Sequence, residues 1–199
     1  MHDPAKIDKP LIRVIDDDDA MRNSWAFLIE GEGWDVKTYA DAITFLSSND
    51  YIRPGCLLLD VRMPHMSGLE LQLKLREAGC DLPIMAVNTL KAGAIDFLQK
   101  PVDDQRLLKT IENAVSHNLA QRRGKREVTD FRNRLESLTQ REREVIRMVA
   151  QGYSNKEVAR EYGISEKTVQ VHRGSAYRKL DLHNAAEIAR LLMLTGDPL

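Results

Sequence analysis

The chain has 199 residues, room for one large domain or two small ones, and its 43% hydrophobic content is ordinary for a globular protein. No apolar run approaches the roughly 20 residues of a membrane span, the Met-His-Asp-Pro-Ala-Lys start lacks the apolar core of a secretory leader, and two cysteines, Cys56 and Cys80, are too few for a disulfide scaffold and read as reduced thiols in a cytoplasmic protein. The net charge of −1 hides two opposed halves: residues 1–120 carry 13 Lys/Arg against 19 Asp/Glu, and residues 121–199 carry 16 against 11. Two domains with different partners are therefore expected, the basic one facing a polyanion.

Leu11 to Ile15 is mostly apolar and β-branched and reads as a strand ending on four acids, Asp16 to Asp19. Met21, Trp25, Leu28 and Ile29 follow at helical spacing, and Gly31 and Gly33 close that helix. Asp35 to Tyr39 alternates as a second strand, and Asp41 to Ser47 is a short helix. Cys56-Leu57-Leu58-Leu59 is a four-residue apolar run, the pattern of a strand buried on both faces, and it stops on Asp60. Gly68 leads into a helix to about Ala78, with Leu69, Leu73 and Arg76 along one side. Leu82 to Val87 and Ile95 to Gln99 are fourth and fifth strand candidates, the latter running into Lys100-Pro101. Asp104 to His117 is a helix with Leu107, Leu108, Ile111, Ala114 and Val115 on its apolar face. Strands alternating with helices predict a doubly wound parallel sheet covered on both faces, and such sheets collect ligands outside the carboxyl ends of their strands.

Three of these strands end on charge: Asp16/Asp17, Asp60 and Lys100. If the first and third strands are neighbours, their carboxylates converge and raise each other's pKa. A divalent cation removes that cost, and hard oxygen ligands suit Mg2+. The nearby lysine suggests an anionic substrate, most simply a phosphoryl group. Asp18 and Asp19 can instead serve a helix N-terminus, where anions are favoured.

Residues 11–117 resemble the receiver domain of bacterial two-component response regulators. Ile15-Asp16-Asp17, Asp60-Val61-Arg62-Met63-Pro64, Met66-Ser67-Gly68 and Lys100-Pro101 match that signature in order. The resemblance implies that Asp60 accepts a phosphoryl group from a sensor histidine kinase, and that Asp16, Asp17, Asp60 and the backbone carbonyl of Arg62 hold Mg2+. It implies further that Lys100 pairs with the phosphoryl oxygens, that the Lys100–Pro101 bond is cis, and that Phe97 is the aromatic switch. A haloacid-dehalogenase-like phosphohydrolase would use the same cation logic but needs an acid two residues after its nucleophile. Here that residue is Arg62, which argues for a phosphoacceptor and against a free-standing enzyme.

One region departs from the resemblance. Only 40 positions separate Asp60 from Lys100, fewer than it implies, and Met85-Ala86-Val87 looks like the start of the family's fourth helix rather than its fourth strand. In one reading Ile84 to Val87 is recruited as the strand, the fourth helix shrinks to little more than a turn, and Asn88 or Thr89 stands in for the hydroxyl switch residue. In the other, a segment of the parent chain is missing from this sequence. If the shortening of the fourth strand/helix region is real, a distorted surface around the fourth and fifth helices and weakened coupling of phosphorylation to output are expected.

Residues 118–137 are polar and Arg-rich, with Val128, Phe131 and Leu135 at helical spacing; they read as a partly helical, solvated linker. Four capped helices follow. Thr139-Gln140-Arg141-Glu142 and Ser154-Asn155-Lys156-Glu157 are capping boxes, Tyr162-Gly163-Ile164 is a tight turn, Ser165 caps a third helix to about Asp181, and Asn184 caps a fourth. Two short helices joined by a Gly-containing turn form a helix-turn-helix. In the third helix Val169, His172, Ala176 and Leu180 face inward. Lys167, Gln170, Val171, Arg173 and Gly174 lie opposite, where Gln can read adenine, Val a thymine methyl, and the cations phosphates.

Residues 138–194 resemble the LuxR-type DNA-binding domain through Leu138-Thr139, Arg141 to Val145, Gly152, Ser154 to Ala159, Ile164-Ser165, Thr168 to Arg173 and Lys179-Leu180. Together the two resemblances place the chain in the NarL/FixJ subfamily, near its FixJ-like branch, with a tetrathionate-respiration regulator as one conceivable member. They imply a receiver over residues 8–119, a basic linker over 120–137 and a small all-α four-helix DNA-binding domain over 138–199. They imply a transcription factor that dimerises on phosphorylation, binds double-stranded operator DNA through Lys167, Thr168, Gln170, Val171, Arg173 and Gly174, contacts RNA polymerase, and works in the cytoplasm without a membrane. The alternative is a constitutive DNA-binding regulator whose truncated receiver no longer switches.

Overall fold

The structure, a computed structural model, describes residues 9–88, 97–99 and 102–196, with the backbone alone described at 88 and 97–99. The chain divides into two compact units, Met1–Arg122 and Arg123–Leu199. Among the described residues no helix is long and apolar enough to cross a membrane.

In the first unit the elements run β1 (Leu11–Ile15), α1 (Asp19–Gly31), β2 (Asp35–Tyr39), α2 (Ala42–Ser48), β3 (Gly55–Asp60), α3 (Gly68–Glu77), β4 (Ile84–Asn88) and β5 (Phe97–Gln99), and α4 (Asp104–Glu136) begins. The sheet is parallel, in the order β2-β1-β3-β4-β5. Every residue of β1 and β3 is buried, as strands covered on both faces must be. Alternate residues feed two cores. Ile12, Val14, Cys56 and Leu58 pack with Trp25 and Ile29 of α1 and Leu107, Ile111 and Val115 of α4. Ile15, Leu57 and Leu59 pack with Phe45 of α2 and Leu71 and Leu75 of α3.

The strand expected over Leu82 to Val87 lies at Ile84–Asn88 and pairs with β3, Leu57 opposite Ile84 and Asp60 opposite Val87. Recruitment of this apolar stretch as a strand is thus what the fold adopts. Of the fifth strand, the described part is Phe97–Gln99, paired with Ala86–Asn88. In α3 the side that carries Leu69, Leu73 and Arg76 is the outer one. Leu71 and Leu75 are buried while Leu69 and Leu73 are 50% and 58% exposed. Leucines at 69, 71, 73 and 75 offer two stripes at once, and the helix can turn only one of them to the sheet.

Two buried polar side chains fasten the lower end of this unit. Asn118 accepts from the Gly55 N–H at 3.1 Å and donates to the Asp81 carbonyl at 2.8 Å. Arg13, fully buried in mid-strand, donates to the carbonyls of Leu11, Asp50 and Arg53 at 2.8, 2.7 and 3.0 Å. Neither was singled out by sequence pattern.

The second unit holds the end of α4 with α5 (Gln140–Ala150), α6 (Asn155–Tyr162), α7 (Glu166–Leu180) and α8 (Ala185–Thr195). The expected caps form: Thr139 with Glu142 and Ser154 with Glu157 as capping boxes, Ser165 before α7, Asn184 before α8. The stretch read as partly helical is helical to Glu136, and its Phe131 and Leu135 are buried against Leu180, Ile188 and Leu192. Arg132 donates to the Thr195 carbonyl at 2.7 Å, and Arg134 to the Leu180 carbonyl at 2.9 Å.

Glu142 does more than cap α5. It is buried and accepts from Lys179 Nζ at 2.7 Å and Ser175 Oγ at 2.6 Å, tying α5 to α7. Burial pushes its carboxyl pKa up, but the bonds from Lys179, Ser175 and Thr139 outweigh that and bring it down to about 2. A carboxyl lowered in the folded state stabilises fully above its unfolded pKa of about 4.3, and that contribution disappears as pH falls toward the folded value. Glu142→Gln should therefore cost this unit roughly 2–3 kcal/mol at pH 7, with the deficit shrinking below pH ~4. Helical circular dichroism is the measurement to use, because Trp25 and Trp34 both belong to the other unit.

Candidate functional site

Because β1 pairs in parallel with β3, Ile15 stands opposite Leu59. The next residue of each strand is an aspartate. Carboxylate oxygens of Asp16, Asp17 and Asp60 all lie within 4.8 Å of one another. Asp16 is fully buried, Asp60 is buried and Asp17 is exposed, so the group opens to solvent on one side.

Local hydrogen bonds aim these side chains. The Asp18 N–H donates to Asp16 Oδ1 at 2.9 Å, and Arg22 Nη1 to the Asp16 carbonyl at 2.7 Å. The Arg62 N–H donates to Asp60 Oδ2 at 3.2 Å. Asp18 is the N-cap of α1, accepting from the N–H groups of Ala20 and Met21, while Asp19 lies in the first turn and pairs with Arg22. The four acids thus split as the alternative allowed, two for the cluster and two for the helix. The loop after Asp60 contains His65, held in the left-handed region at φ 66°.

Of the other expected site residues, Asn88 ends β4 opposite Gln99, and Phe97 opens β5 opposite Ala86; their side chains are not among those described. Thr89, Lys100 and Pro101 lie outside the described residues. The chemistry this donor set offers is that of an acidic pocket suited to a hard divalent cation beside a carboxylate nucleophile.

The second candidate surface is on α7. Val169, Ala176 and Leu180 are buried as expected, and His172 is half-buried. Lys167, Gln170 and Gly174 are exposed, and Val171 is 64% exposed. Thr168 and Arg173 are half-buried. The Thr168 N–H bonds to Ser165 Oγ at 3.1 Å, and Arg173 donates to Asn155 Oδ1 at 3.2 Å and lies over the Tyr177 ring. A Cβ on Gly174 would meet nothing within 4 Å.

Comparison with known proteins covers both parts of the chain. Residues 12–112 match the response regulator receiver domain family, and residues 136–192 match the bacterial regulatory proteins of the luxR family. The response regulator protein TmoT of Ectopseudomonas mendocina is 37% identical over 199 residues, covering 95% of this chain and 90% of its own. The transcriptional regulatory protein FixJ of Bradyrhizobium diazoefficiens is 37% identical over 195 residues, covering 93% and 95%. Among solved structures, the response regulator StyR superposes with a TM-score of 0.78 at 38% identity, over 94% of this chain and 99% of that one.

Three carboxylates this close repel, and relief of that repulsion is measurable. In chelator, Asp17→Asn should melt roughly 2 °C above the parent. The parent should gain about 1.4 kcal/mol when Mg2+ is added to ten times its dissociation constant, and the variant should gain much less. Calorimetric melting with and without the cation checks both.

Proposed function

The chain belongs to the response regulators that join a receiver domain to a LuxR-type DNA-binding domain, and we propose that phosphoryl transfer from a sensor histidine kinase to Asp60 controls its dimerisation and operator binding. Such proteins are phosphoacceptor transcription regulators rather than enzymes, and a kinase and DNA are their partners. The observation that carries the reading is the convergence of Asp16, Asp17 and Asp60 at the tips of β1 and β3.

In the proposed step a carboxylate oxygen of Asp60 attacks the phosphorus of the kinase phosphohistidine. A P–O bond forms, the P–N bond breaks, and the imidazole leaves. Asp16, Asp17, Asp60 and the Arg62 carbonyl are the residues that would hold Mg2+; their all-oxygen, mostly anionic character fits that ion. Bound there, the ion neutralises charge that otherwise opposes an anionic phosphoryl donor. The Arg62 N–H on Asp60 Oδ2 keeps the carboxylate oriented. Lys100 takes the phosphoryl oxygens, and Asn88 or Thr89 with Phe97 forms the switch. The acyl phosphate adds charge and acceptor oxygens, enough to bias a loop between two arrangements.

On α7, Gln170 and Val171 read base edges, Lys167, Thr168 and Arg173 hold phosphates, and Gly174 allows close approach to the groove. Residues 8–119 act as receiver and 138–199 as the DNA-binding domain, and the linker over 120–137 is not wholly solvated, since its Phe131 and Leu135 pack in the core of the second unit. The phosphorylated protein is a homodimer that meets RNA polymerase at its promoters in the cytoplasm. One observation favours a second reading, a constitutive binder: only 40 positions separate Asp60 from Lys100, so the relay from phosphate to output is short of residues.

Operator affinity separates the two. Incubation with phosphorylated kinase should label the parent and raise its operator affinity about 5–150-fold, whereas Asp60→Asn should be neither labelled nor activated. A labelled parent with unchanged affinity would establish the constitutive reading.

The DNA face has its own test. Gln170→Ala should cost roughly 1–3 kcal/mol at one operator position and relax specificity there. Lys167→Ala should weaken all sequences alike and reduce the salt slope of binding by about 0.9. Fluorescence-anisotropy titrations over several salt concentrations distinguish them.

A further inference from the structure

Gly68 opens α3, directly after the loop that follows Asp60. Its backbone is not left-handed, so conformational freedom does not explain a glycine there. Space does. A Cβ at this position would lie 2.5 Å from the Asp60 carbonyl oxygen, 3.0 Å from Val61 Cα and 3.1 Å from Leu59 Cγ. Two of those three atoms are backbone and cannot swing aside.

The contact is also a bond. The Gly68 N–H donates to the Val61 carbonyl at 3.1 Å, while the Val61 N–H donates to the Val87 carbonyl of β4 at 3.2 Å. The Asp60–Val61 segment is thereby held by the first turn of α3 and by β4 together. That first turn is itself locked: the Ser67 N–H donates to Glu70 Oε2 at 2.8 Å, and Ser67 Oγ accepts from the Glu70 N–H at 3.3 Å.

We propose that Gly68 is a positioning residue for Asp60: its missing side chain lets the start of α3 seat on the Asp60–Val61 backbone and hold the Asp60 carboxylate in register with Asp16 and Asp17. The proposal rests on the reading of Asp60 as cation ligand and phosphoacceptor. Any side chain at position 68 pushes that backbone away and spreads the three carboxylates. The damage falls on cation binding and phosphoryl acceptance rather than on the fold as a whole.

The test titrates the full chain with Mg2+ alone by calorimetry and follows acyl-phosphate formation from acetyl phosphate. Gly68→Ala should bind Mg2+ ~10–100-fold more weakly, the range for residues that orient a metal ligand, and should be acylated correspondingly slowly at limiting Mg2+. Leu75→Ala, a cavity in the same helix away from Asp60, should melt earlier yet keep the parent's Mg2+ affinity. Should Gly68→Ala fail to fold, Ser67→Ala with Glu70→Ala releases the same turn without added bulk, and it too should weaken Mg2+ binding. Parent-like Mg2+ affinity in Gly68→Ala, or in the double variant where it is the one that folds, overturns the proposal. A parent that binds no Mg2+ overturns the reading beneath it, and the proposal falls with that reading.

Discussion

The register of β1 on β3 is the constraint on which the receiver depends. Leu11 pairs with Gly55 and Ile15 with Leu59, so the residue after each strand's last apolar position is an aspartate at the same edge. A slip of one residue would turn every side chain of the strand to the opposite core and part the two acids. The register is set at the far end of the strands. There a Cβ on Gly55 would sit 1.9 Å from the Leu11 carbonyl oxygen, so no other residue permits the approach. Asn118 takes up the Gly55 N–H, and the Arg13 guanidinium gathers the carbonyls around the same end. The acidic site at one edge is thus held by a polar network at the other.

Much of this was legible in the sequence because the signals were redundant. Apolar runs ending on acids, helical spacing between them and an alternating order all agreed on a parallel sheet, and the capping boxes at Thr139 and Ser154 marked helix starts on their own. What stayed hidden was of two kinds. Where one pattern served two outcomes, as with leucines on both sides of α3, periodicity could not choose between faces. Where a contact joined residues far apart in the chain, as with Asn118 to Gly55 or Glu142 to Lys179, nothing local announced it. Glu142 was visible as a cap but not as the buried carboxylate tying two helices. Gly68 was visible as part of a motif but not as the space that motif requires.

The stretch Ile84-Met85-Ala86-Val87 shows tertiary context overriding local preference. Apolar at each position, it suits a buried helix face or a buried strand equally well. A gap between β3 and β5 would leave the ladder groups of both strands unpaired and their side chains uncovered, a larger penalty than any difference in propensity. The strand therefore wins, and Val87 comes to stand opposite Asp60. The phosphoacceptor candidate thus has Val87 as its sheet partner on the β4 side, while the β1 pairing ends one residue earlier at Leu59.

On α7 the same logic separates what folding needs from what it does not. Val169, Ala176 and Leu180 are buried, and Lys179 is engaged by Glu142, so one side of the helix is committed to the domain. The other side carries two residues that folding would not choose. Val171 leaves an apolar side chain in solvent, and Gly174 costs a helix interior about 0.5–1 kcal/mol relative to alanine although no atom of the protein crowds its missing Cβ. Neither choice stabilises this chain. On the proposed reading of α7, a thymine methyl would meet the first and a closely approaching duplex the second. On that reading, Val171 and Gly174 belong to the surface offered to DNA, on the side of α7 that the domain core leaves open.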